Sequence, residues 1–143
     1  MKRWEAWWNH AALAAVSLTG VAYGLFKYVV PNPDPDSRVG HPWQPGMMKL
    51  HILVAPLAVF GVGLLVRRHA LARLKRGEQK GRKTGALMLW IFLPLALSGY
   101  VIQTLVAPGA VRATGWGHTG LGLVFLLGYA FHPKRQAPAN GDD

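Results

Sequence analysis

Four stretches of the chain are apolar on every side: Trp7–Val29, Leu50–Val66, Thr84–Val106 and Trp116–Phe131. Segments rich in charge, proline or glycine separate them. A helix needs roughly 18–20 apolar residues to cross the hydrocarbon core of a bilayer. The first and third stretches exceed that length, the second approaches it, and the fourth is the shortest. Strands of a membrane barrel would alternate apolar and polar residues, and these runs do not. The pattern predicts an all-α integral membrane protein, a four-helix bundle of helices at about 7–29, 50–66, 84–106 and 116–131. The 143 residues then form a single transmembrane domain, with a short disordered tail at 134–143.

Composition agrees with a membrane setting, since 51% of the residues are hydrophobic and they lie in long uncharged runs. Lys2-Arg3 followed by Ala11–Gly24 has the look of a signal peptide. No clear A-x-A cleavage site follows, so the segment is expected to stay as the first helix. The chain has no cysteine. That excludes covalent haem attachment through C-x-x-C-H, disulfides and thiolate-held iron–sulfur clusters.

Charge sets the orientation. Twelve of the sixteen Lys and Arg residues fall at Lys2-Arg3, in the loop Arg67–Lys83 and at Lys134-Arg135. In a four-span topology these segments share one side, and the other side holds only Lys27, Arg38, Lys49 and Arg112. The positive-inside rule therefore places both termini in the cytoplasm. The net charge of +10 is mostly this topological signal. A nucleic-acid partner is not expected, and anionic lipid headgroups are the better match for the basic loop.

The same topology sorts the histidines. His118 and His132 are fourteen positions apart, which returns the second to within about 40° of the first and about 21 Å along a helix axis. His51 and His118 fall toward the outer surface, His10 and His132 toward the inner one. Each pair joins two helices, and paired neutral imidazoles are what a six-coordinate haem iron requires. The alternative for each residue is an interfacial polar side chain, but ionisable groups inside spans are rare enough to mark candidate sites. His69, eighteen residues after His51 and about 27 Å away on the same face, competes with His132 for the inner site. His41, among Pro42, Trp43, Gln44 and Pro45, reads as a loop residue.

Glycines at 115, 117, 120 and 122 leave little bulk around His118, and Gly20 with Gly24 forms a small face on the first helix; small residues also serve direct helix packing. Pro56 and Pro94 lie within spans, and Trp4, Trp7, Trp8 and Trp116 match interfacial anchors.

One histidine on helix one, one on helix two and H-x13-H on helix four resembles the bacterial cytochrome b561-like superfamily. That group includes the di-haem membrane cytochrome b subunits of formate dehydrogenase and nickel–iron hydrogenase. The resemblance spans the four-helix core and rests on four residues and their order. It implies two non-covalent haem b groups, with His51 and His118 on the outer iron and His10 and His132 on the inner iron. It also implies a multi-pass protein of the bacterial inner membrane. Electrons would pass between the quinone pool and a periplasmic redox protein or catalytic subunit of a larger membrane complex. Two departures are a short connection at Ala107–Gly115, with no long tail to grip a catalytic subunit, and Pro133 directly after His132.

With both axial positions filled by histidine, such a chain is an electron-transfer subunit rather than a stand-alone catalyst. Haem propionates need nearby cations; Lys49 and Arg112 are candidates on the outer side and Arg3, Arg82 and Lys134 on the inner. Asn9 is a candidate contact for a quinone or quinol. A haem-free anchor or assembly subunit is the alternative function. A transporter is disfavoured, because the third span offers only Ser98, Gln103 and Thr104 as polar groups, and no Ser/His/Asp set or phosphate loop is present.

Overall fold

A computed structural model describes residues 3–36, 40–67 and 82–131. His69, His132, Lys134 and the 134–143 tail lie outside the described residues, as do positions 68–81 and the side chains of Arg82 and Lys83. Among the described residues there are four helices and no strand: α1 (Arg3–Tyr28), α2 (Gln44–Leu65), α3 (Arg82–Thr104) and α4 (Pro108–Phe131). The chain divides into two compact units, Met1–Arg76 and Gly77–Asp143, each built on one pair of helices.

In the first unit, α1 opens with Glu5 in its first turn and closes with Lys27 in its last, both favourable against the helix dipole. The backbone N–H groups of Val29 and Val30 both return to the Leu25 carbonyl, at 2.9 and 2.8 Å. Pro31, Pro33 and Pro35 then prevent continuation. Asn32 and Asp34 accept from the backbone N–H two residues on, at 3.0 and 3.1 Å, which makes successive side-chain-closed turns. The chain re-enters a helix at Gln44, with Pro45 in the first turn, where its missing N–H costs nothing.

Glu5, Asn9, Ala12, Leu13 and Thr19 are buried at helical spacing on α1, and Ala58, Gly61 and Val62 are buried on α2. Asn9 lies against Gly61 and Gly20 against His51, so the two helices run antiparallel. In the second unit α3 and α4 do the same. Gly99 meets His118, Leu95 meets Gly122 and Met88 meets Gly128, while the Phe92 and Phe125 rings tilt together at 5.5 Å between centroids. Small residues at these crossings let the backbones approach, as helix association in lipid requires.

Three helical segments, Arg3–Tyr28, Gln44–Leu65 and Thr84–Thr104, are long and apolar enough to cross a membrane. α4 has 24 residues, but Arg112, Thr114, His118 and Thr119 and six glycines dilute its hydropathy. Leu18, Leu53, Trp90, Leu97 and Phe131 all stand exposed. Water would penalise so much open apolar surface, whereas acyl chains match it.

Helices α1, α2 and α4 begin before the apolar runs at Trp7, Leu50 and Trp116. The reason is that a helix end needs no hydrophobicity: Arg3, Gln44 and Arg112 lie in first turns or just beyond them. The expected connection at Ala107–Gly115 shrinks to Leu105–Ala107. Pro108 starts α4, and the Val111 N–H reaches the Ala107 carbonyl at 3.0 Å. His118 is consequently the eleventh residue of α4, about 15 Å inside it.

Candidate functional site

His51 projects from α2 onto α1. Its Nδ1 lies 3.0 Å from the Val16 carbonyl oxygen and 3.2 Å from the Thr19 hydroxyl. A carbonyl oxygen can only accept, so Nδ1 must carry the proton. The Thr19 hydroxyl spends its own hydrogen on the α1 backbone, where the Ala15 and Val16 carbonyls lie at 2.8 and 3.1 Å. Its oxygen lone pairs therefore face the imidazole. In the neutral ring this assigns the tautomer, and Nε2 bears the lone pair.

His118 repeats the arrangement from α4 onto α3. Nδ1 lies 3.1 Å from the Leu95 carbonyl oxygen and 3.0 Å from the Ser98 hydroxyl, which donates to Leu95 O at 2.9 Å. The same elimination puts the proton on Nδ1 and the lone pair on Nε2. A glycine lies beneath each ring: a Cβ on Gly20 would come 3.0 Å from His51 Cε1, and one on Gly99 would come 3.2 Å from His118 Cε1.

The two hairpins match at the stations around each imidazole. A shift of 79 positions carries Val16, Thr19 and Gly20 onto Leu95, Ser98 and Gly99, and Asn9 onto Met88. A shift of 67 carries His51 onto His118 and Gly61 onto Gly128. The pairs Asn9–Gly61 and Met88–Gly128 occupy the same station. Thr19, Ser98 and Gly99 are functional candidates that the histidine pattern alone does not reveal. The repeated Val16-Ser17-Leu18-Thr19-Gly20 and Leu95-Ala96-Leu97-Ser98-Gly99 is the signal that points to them.

The other candidates fall elsewhere. His10 is exposed on α1, one residue past Asn9, which faces α2 and is 2% exposed. The described part of the first unit does not join His10 to His51. Arg3, Lys49 and Arg112 are exposed, the last two on the helices that carry His51 and His118. Of the glycines near His118 in sequence, Gly115, Gly117 and Gly120 have open space where a side chain would stand. The glycine that lies against the ring is Gly99, from the neighbouring helix. His41 is buried in the loop, stacks on Phe26 at 4.5 Å and accepts from the Trp43 backbone N–H through Nδ1 at 3.2 Å. Ser98, Gln103 and Thr104 each bond back to a carbonyl of α3.

Among the described residues no group of three or more His, Cys, Asp or Glu side chains is gathered that could hold a metal ion. The chemistry on offer is two equivalent imidazoles, one per hairpin, with the same tautomer. No family model, curated protein or solved structure matches this chain.

Proposed function

We propose that this chain is a membrane-embedded di-haem b-type cytochrome that carries electrons across a bacterial inner membrane, between the quinone pool and a periplasmic redox protein or the catalytic subunit of a larger complex. The observation that carries the reading is the matched presentation of His51 and His118. Each keeps its proton on Nδ1, held by a backbone carbonyl, so that Nε2 is the donor atom. Metal-binding histidines are commonly oriented this way by their second nitrogen. A porphyrin brings four nitrogens of its own, so the iron asks the protein only for axial ligands. Two histidines per iron would meet that need without a larger cluster of ligating side chains.

Haem would supply a one-electron iron couple, and with both axial sites filled by histidine it favours electron transfer over oxygen chemistry. His51 and His118 are the proposed ligands of the outer haem, with Lys49 and Arg112 as cations for its propionates. His10 with His132, or with His69 in its place, is the proposed inner pair, with Arg3, Arg82 and Lys134 nearby in the topology. The proposal keeps the four-helix bundle expected from the apolar runs and the cytoplasmic termini expected from the charge asymmetry.

The test is a reduced-minus-oxidised spectrum of the purified, haem-supplied chain, with haem quantified per polypeptide. A low-spin b-type signal at two haems per chain is expected, falling to one in His51→Ala or His118→Ala. His10→Ala and His132→Ala should each remove the other haem; loss on His69→Ala instead would exchange His69 for His132. A folded chain with no such signal would refute the cytochrome reading in favour of a haem-free anchor subunit.

A further inference from the structure

We infer that Thr19 and Ser98 are positioning residues for His51 and His118, each supplying a second acceptor that strengthens the hold on the imidazole Nδ1 proton. The inference deepens the cytochrome reading and rests on it for the identity of the ligand, but the hydrogen-bond arrangement stands on the protein's own atoms.

Each bracket has four parts. A backbone carbonyl, Val16 or Leu95, accepts the Nδ1–H at 3.0 or 3.1 Å. A hydroxyl three residues further along the same helix lies 3.2 or 3.0 Å from the same nitrogen. That hydroxyl donates to its own helix backbone, so only its lone pairs remain for the ring. A glycine in the next position removes the side chain that would lift the ring away.

Back-bonding to the preceding turn is ordinary behaviour for Ser and Thr in a helix, and by itself it would mean nothing. What separates these two from Thr104 and Thr119, which back-bond at 2.9 Å to their own helix, is the imidazole on the other side of the oxygen. The arrangement also occurs twice, at the same register of two hairpins, with Thr in one and Ser in the other. Only the hydroxyl is common to both side chains.

The consequence is electronic as well as geometric. An N–H shared between two acceptors leaves more electron density on the ring, which makes Nε2 the stronger donor toward a metal and favours the more highly charged, ferric state. Removing the hydroxyl should raise the reduction potential. Outer partners of metal-binding histidines typically change affinity about 10- to 100-fold when removed.

Two measurements on the full chain in lipid nanodiscs test this. In haem-free protein labelled with 15N-histidine, His51 and His118 should both show the Nδ1–H tautomer, and Thr19→Val or Ser98→Ala should speed exchange of that proton with water roughly 5- to 10-fold. In protein loaded with iron protoporphyrin IX, either variant should shed haem about 10-fold faster and titrate at a higher potential, whereas Thr19→Ser and Ser98→Thr, which keep the hydroxyl, should match the wild type in both. An Nε2–H tautomer in the haem-free wild type, or variants with unchanged proton exchange, would overturn the inference even if the chain binds haem. A chain that binds no haem, yet shows the Nδ1–H tautomer and its dependence on the hydroxyls, would keep the bracket and refute the cytochrome.

Discussion

Gly20 lies beneath the His51 ring so closely that a Cβ there would stand 3.0 Å from Cε1 and 3.2 Å from Nδ1. The neighbouring atoms are ring carbon and nitrogen, held in turn by Val16 and Thr19, and they can yield little without breaking that bond. Gly20→Ala should therefore move the imidazole off its carbonyl. The better helix propensity of alanine returns up to about 1 kcal/mol, against about 1–3 kcal/mol for overpacking. We expect a small net loss of hairpin stability in thermal unfolding and a clear loss of haem retention. Gly99→Ala should act in the same direction and more weakly, because its Cβ would stand 3.2 Å from His118 Cε1 and 3.6 Å from Nδ1. Equal haem retention in both variants and wild type would mean that the rings are not held by this contact.

Asn9 is 2% exposed, and its Oδ1 has no hydrogen-bond partner among the described residues. In the second hairpin the same station against glycine is filled by Met88, an apolar side chain. Asn9→Met should thus be tolerated by the packing. Relief from an unsatisfied buried oxygen is worth about 1–3 kcal/mol, so the variant should unfold at an equal or higher temperature. If it is instead destabilised while quinol oxidation also falls, Asn9 has a ligand of its own, and the quinone role suggested by its position gains weight.

His41 closes the loop between α1 and α2 by stacking on Phe26 and by accepting the Trp43 N–H. This is structural work apart from the Val16, Thr19 and Gly20 contacts of His51. His41→Ala should cost about 1–3 kcal/mol through the lost acceptor and leave the haem spectrum and haem count unchanged. Loss of a haem in a folded His41→Ala chain would place His41 among the ligands instead.

His51 and His118 were legible as candidates because an ionisable side chain within an apolar run is visible in the residue order itself. Their orientation was not. Val16 and Leu95 are written as aliphatic residues, and it is their carbonyls, common to every residue type, that assign the tautomers. Gly99 was equally hidden, since the glycine beneath the His118 ring sits on another helix, whereas Gly115, Gly117 and Gly120, its neighbours in sequence, face open space. The starts of α2 and α4 escaped for a related reason: hydropathy marks where a chain meets lipid, whereas helices extend past that limit through Gln44 and Arg112.

The order of residues alone determined the four apolar segments, the charge asymmetry between the segments that join them and the set of histidines available for chemistry, because each depends only on side-chain type along one chain. Tertiary structure decided that α1 pairs with α2 and α3 with α4, that the pairs repeat one register, and that Thr19 and Ser98 stand behind His51 and His118. Those facts depend on backbone atoms brought together across a helix crossing. Distance in space, rather than residue identity, determines which carbonyl an imidazole proton meets.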